Sequence, residues 1–84
     1  MYEYYFTFRS LTRAQQAVQL LRGQALDGEL VRIPKALTSM GCGYAVRVYG
    51  SDAYPAAAML RTAGVGFERI FGLDHQGVAR EVAL

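Results

Sequence analysis

Residues 2 to 8 alternate Tyr2, Tyr4, Phe6 and Phe8 on one side with Glu3, Tyr5 and Thr7 on the other. A period of two with this aromatic content predicts a β-strand. Ser10 then offers a capping hydroxyl. Leu11, Ala14, Val18 and Leu21 recur at helical spacing, with Arg13, Gln15, Gln16 and Arg22 largely on the other side, so a helix is predicted from 11 to 22, ended by Gly23. After Asp27-Gly28 a second strand is predicted over Glu29 to Ile33, stopped by Pro34. The stretch from Pro34 to Met40 has no clean period and reads as a loop or a short helical turn.

Tyr44, Val46 and Val48 alternate with Ala45, Arg47 and Tyr49, a third strand that ends at Gly50. Ser51 or Asp52 is expected to cap a second helix, with Pro55 in its first turn, where a missing amide proton costs little. Ala56, Met59, Leu60 and Ala63 repeat at helical spacing, and Gly64 closes the run. A fourth strand is predicted over Phe67 to Leu73. It is less regular, because Phe67, Arg69 and Phe71 share one face and Ile70 takes the other; an edge position or a bulge would account for that.

The order strand, helix, strand, strand, helix, strand predicts an α+β, ferredoxin-like βαββαβ domain: two helices on one face of a four-stranded antiparallel sheet, the first and third strands central. Tyr4, Phe6, Phe8, Val46 and Val48 are then expected under the helices. Tyr5, Thr7, Arg32, Arg47 and Tyr49 are expected on the open face. Residues 1–73 form the single domain in this reading; 74–84, broken at Gly77, are a C-terminal tail, an added strand or a subunit contact.

Length and charge narrow the function. An 84-residue chain with 52% hydrophobic residues is one compact domain with apolar surface to spare for a partner, and a homodimer is among the readings. The net charge is +2, and the basic residues run from Arg9 to Arg80 without a cluster in sequence, so nucleic acid is not the expected partner. The amino terminus lacks the pattern of a signal peptide, and no apolar run reaches the ~20 residues of a membrane span. With one cysteine and no Cys-x-x-Cys pair, a reducing, cytoplasmic setting is expected, with no membrane association.

Candidate chemistry centres on Met40-Gly41-Cys42-Gly43-Tyr44. Glycines on both sides leave the Cys42 thiol unshielded by neighbouring side chains. The competing reading is an inert, partly buried cysteine. His75 lies far along the chain, and the carboxylates are scattered, so neither a Cys-His pair nor acid-base catalysis is expected. A copper site through Met40 and Cys42 lacks a second thiolate, and no metal or other cofactor is expected. Gly41-Cys42-Gly43-Tyr44 echoes part of an RNA-recognition signature, but Cys42 stands where a stacking aromatic belongs. Tyr5, Arg47 and Tyr49 are better suited to a dimer or partner interface, where Tyr and Arg are enriched.

Tyr4-Tyr5-Phe6-Thr7-Phe8, Ile33-Pro34-Lys35 ahead of Thr38-Ser39, and Cys42-Gly43-Tyr44-Ala45-Val46-Arg47 together resemble the small selenium/sulfur carrier-like proteins, over roughly Tyr4 to Leu73. The Cys-Gly-x-Ala-x-Arg segment is the most specific part of the likeness. The resemblance implies a single ferredoxin-like domain that is a carrier rather than an enzyme. It implies that Cys42 holds sulfur or selenium as a persulfide or selenopersulfide, received from a cysteine desulfurase-type donor and passed to a biosynthetic acceptor. Gly43 keeps the thiol accessible in this scheme, and Arg47 aids it electrostatically. Gly41 and Met40 depart from the small polar residues expected before the cysteine. Lys35, Arg32 and Arg47 lie close enough in sequence to favour a thiolate if the loop folds toward them. The alternatives are an interaction module associating through its open sheet face and, third, a single-stranded RNA binder.

Overall fold

The computed structural model of the chain describes residues 2–33 and 43–84. Its elements are β1 (Glu3–Phe8), α1 (Leu11–Gly23), β2 (Glu29–Arg32), β3 (Tyr44–Tyr49), α2 (Ala53–Thr62), β4 (Ile70–Leu73) and β5 (Ala79–Glu81). The irregular stretch from Pro34 to Met40 lies outside the described residues, as do Gly41 and Cys42.

The strands form one antiparallel sheet in the order β2-β3-β1-β4-β5. β1 and β3 are central, as expected. The expected strand count is corrected from four to five, because Ala79–Glu81 pairs with β4 and covers what would have been its open edge. The sheet is otherwise compatible with the ferredoxin-like arrangement.

One face of the sheet is the core. Phe6 and Phe8 of β1, and Val46 and Val48 of β3, are buried against Ala14, Ala17, Val18 and Leu21 of α1 and Ala56, Ala57 and Leu60 of α2. Alanines at these helix positions let both helices lie close to a sheet face carrying large aromatics. Leu11, expected on the buried stripe, is 39% exposed, and Ala17 takes its place in the core.

The helix ends differ in detail from expectation. Ser10 Oγ accepts from the Arg13 amide at 3.1 Å, the predicted cap of α1. Gly23 does not break that helix. The chain turns two residues later, at Ala25, whose φ is +60°. The Leu26 amide donates to the Leu21 carbonyl and the Ala25 amide to that of Arg22, a Schellman arrangement with alanine at the left-handed position. α2 closes with the same pair of bonds, Val65 to Leu60 and Gly64 to Arg61, and there the left-handed residue is Gly64, as predicted. At its start, neither Ser51 nor Asp52 supplies a side-chain cap bond; a 3-10 turn over Gly50–Asp52 feeds straight into the helix.

The irregularity before β4 is a bulge, and β4 is not an edge strand. Phe6 pairs with Ile70, so Arg69 should face Thr7. Thr7 donates its amide to the Arg69 carbonyl at 2.9 Å, but its own carbonyl accepts from the Glu68 amide at 2.8 Å. The Arg69 amide turns instead to Thr7 Oγ at 3.1 Å. Two residues thus oppose one, and the side-chain alternation slips by one place. Phe67 and Phe71 therefore do not share a face: Phe67 sits edge-on against Phe6 under the helices, and Phe71 lies on the opposite side with Tyr5.

Candidate functional site

Cys42, Gly41 and Lys35 fall outside the described residues; Gly43, Arg47, Tyr5 and Tyr49 are within them. Gly43 has φ +133° and leads directly into β3. A Cβ built on it would stand 2.6 Å from the Phe8 carbonyl oxygen, well inside any real contact. The chain immediately after Cys42 therefore passes against the end of β1, where only glycine fits in this conformation. The same register that aligns Phe8 with Tyr44 sets this approach.

Arg47 lies on the face away from the helices, in a row that crosses the sheet: Glu29 of β2, Arg47 of β3, Tyr5 of β1, Phe71 of β4 and Glu81 of β5. Its guanidinium donates to Glu29 at 2.5 Å, stands 4.0 Å from Glu3, and lies 5.3 Å from the centre of the Tyr49 ring. The hydrogen bond to Glu29 raises the Arg47 guanidinium above its usual range, with burial opposing it. Among the described residues, Nε of Arg47 is buried without a hydrogen-bond partner. The arginine is thus engaged by carboxylates of its own sheet face.

Tyr5 is placed differently from expectation. It is 3% exposed, and Thr7 is 8% exposed, so these two positions are corrected from open surface to buried; Arg32, expected on the open face, pairs with Tyr44 and shares its helix-side face. Tyr5 shares a cluster with Ala45 and Phe71, with Val31, Ile33, Leu73 and Ala79 packed around them. β5 and the bulge that turns Phe71 to this face both contribute to it, and neither is visible to a simple alternation. The Tyr5 hydroxyl donates to Glu3 at 2.7 Å. Burial first, and then the bond to Glu3, push its phenol up to about 12. Of the interface candidates, Tyr49 is exposed and Arg47 partly so. Tyr44, the aromatic of the Gly-Cys-Gly-Tyr stretch, packs on the helix side rather than presenting an open ring.

Among the described residues there is no group of three or more His, Cys, Asp or Glu side chains placed to hold a metal ion. None of the described helices is long and apolar enough to cross a membrane.

A protein-family model described as "Putative Se/S carrier protein-like" matches residues 3–72. The chain belongs to that family. The matched span runs from the start of β1 into β4 and stops short of β5, so the fifth strand lies beyond it. Comparison with curated proteins and with solved structures gives no match.

Proposed function

We propose that this chain is a sulfur or selenium carrier that holds the chalcogen on Cys42 within a ferredoxin-like domain extended by β5. Membership of the Se/S carrier family is the observation that carries this reading. Gly43 is consistent with it, because the residue that follows Cys42 in the chain is held as glycine against the Phe8 carbonyl and brings no side chain of its own.

The transfer balances without a redox partner. The Cys42 thiolate attacks the outer sulfur of a donor persulfide, the donor S–S bond breaks, and the donor departs as a thiolate. Cys42 keeps the outer sulfur with its proton as a persulfide; selenium in the outer position gives a selenopersulfide by the same exchange. In the second half, a nucleophile of the acceptor takes the outer atom and Cys42 leaves as a thiolate. Because the chain has one cysteine, no second thiol within it can expel the chalcogen as an intramolecular disulfide. The donor is then a cysteine desulfurase-type enzyme and the acceptor a biosynthetic protein.

The test is intact mass after incubation with a cysteine desulfurase and cysteine, or a selenocysteine-cleaving counterpart and selenocysteine. The expected result is a gain of one chalcogen atom, lost on reduction and absent in Cys42→Ser. An unchanged mass with active donors would overturn the proposal.

A further inference from the structure

The basic residues are scattered along the sequence but gathered in space. β1 ends at Phe8 beside Tyr44, which also pairs with Arg32 at the end of β2. At this same end α1 begins, α2 finishes, and the chain returns through the bulge into β4. Five arginines therefore meet there: Arg9, Arg13, Arg32, Arg61 and Arg69, all exposed. Among the described residues, Glu68 is the side-chain carboxylate rooted at this end, Glu81 reaches Arg69 from the row of Tyr5, and the Leu84 main-chain oxygen accepts from Arg61 at 2.5 Å. Toward the other end of the strands the balance is reversed, with Glu3, Asp27, Glu29, Asp52 and Asp74 against Arg22, Arg47 and Arg80.

Arg9, Arg61 and Arg69 each have a partner there, held only at the exposed surface. Arg9, Arg13, Gly66, Phe67 and Glu68 line a groove of 430 Å³. Arg61 stands on its Phe67 wall, 5.4 Å from the ring centre. Arg9 is paired with Glu68 at 2.7 Å, but both side chains are solvated, and exposed pairs of this kind hold weakly. Arg13 and Arg32 make no ion pair among the described residues. Arg32 and Arg69 flank the four strands from β2 to β4, a separation of about 14 Å at ordinary strand spacing. That span suits a surface rather than a single small anion.

We propose that this arginine-rich end of the sheet is the docking surface for an acidic patch on the protein that exchanges chalcogen with Cys42. The inference rests on the carrier reading, since Gly43, one peptide bond from Cys42, enters β3 at this end against Phe8. Opposite charge on the partner steers the encounter and aligns it with the thiol, and the acidic far end disfavours the reversed orientation. A protein partner is favoured over RNA because the central strands offer no open stacking platform at this end: Tyr5 is buried, Tyr44 packs on the helix side, and the exposed Tyr49 lies at the opposite end of β3 beside Glu3.

The experiment compares Arg13→Glu/Arg32→Glu with Arg22→Glu/Arg80→Glu at the opposite end, in the full chain. Loading of Cys42 is timed with a persulfide-bearing cysteine desulfurase and, separately, with a neutral low-molecular-weight persulfide. A glutamate-rich peptide and a single-stranded RNA of equal charge are titrated against each variant by NMR. Reversal of Arg13 and Arg32 is expected to slow loading from the desulfurase about tenfold or more at low salt, with the gap narrowing as salt is raised. Loading from the small persulfide should be unchanged, and the peptide should perturb the Arg9, Arg13, Arg32, Arg61 and Arg69 signals. Equal effects of the two double variants, peptide shifts mapping elsewhere, or tighter binding of the RNA at this end would each overturn the inference. Failure of Cys42 to load from either donor would instead remove the carrier reading, and with it the assignment of the partner.

Discussion

Gly43 and the Phe8 carbonyl are in forced proximity: a methyl group on Gly43 would lie 2.6 Å from that oxygen, and φ there is +133°. Replacing Gly43 by alanine adds both a clash and backbone strain at the point where the chain leaves Cys42 for β3. Gly43→Ala is expected to lower stability by about 1–3 kcal/mol. Urea denaturation of the two proteins measures it, and an unchanged midpoint would show that this approach does not constrain the fold.

The two helices end in the same hydrogen-bonded motif with different residues at the left-handed position, Ala25 after α1 and Gly64 after α2. A side chain at positive φ costs about 1 kcal/mol that glycine does not. Ala25→Gly is therefore expected to stabilise the protein by up to about that amount, and Gly64→Ala to destabilise it similarly. Thermal and chemical denaturation should move in opposite directions for the pair.

Thr7 holds the bulge, since its hydroxyl is the acceptor for the Arg69 amide. Thr7→Val preserves shape and removes that acceptor, with an expected loss of about 1–2 kcal/mol, while Thr7→Ser should retain most of the stability. Amide exchange at Arg69 gives a local readout: it should accelerate in the valine variant and not in the serine one.

Tyr5 should leave a mark on stability in alkaline solution. Its phenol ionises at about 12 in the folded chain against 10.0 when unperturbed. Between those values the unfolded chain has released a proton that the folded chain keeps, so unfolding becomes easier as pH rises. The contribution is complete below pH 10.0 and gone above about 12. Denaturation midpoints across this window should fall less steeply in Tyr5→Phe, and absorbance titration should show one tyrosine fewer ionising late.

The alternation of Tyr4, Phe6 and Phe8, and of Val46 and Val48, marked the core face, because a strand covered on one side repeats its apolar residues every second place. The helical spacing through Ala14, Val18 and Leu21, and through Ala56 and Leu60, marked the two covering elements for the same reason. The lone thiol between glycines, and the Cys-Gly-x-Ala-x-Arg segment that carries the family likeness, were likewise legible, since residue identity is all they require. Other features depend on partners distant in sequence. Whether Phe67 and Phe71 share a face is decided by how Glu68 and Arg69 meet Thr7, some sixty residues away. The fifth strand exists through pairing with β4, which three residues of modest propensity do not announce. The burial of Tyr5 follows from both. The sequence by itself determined the layers, the core stripe and the position of the one thiol, all properties of local periodicity and composition. The tertiary structure alone decided the bulge, the added strand, the engagement of Arg47 by Glu29 and the gathering of five dispersed arginines at the Gly43 end, because each is made by contacts between segments that only folding brings together.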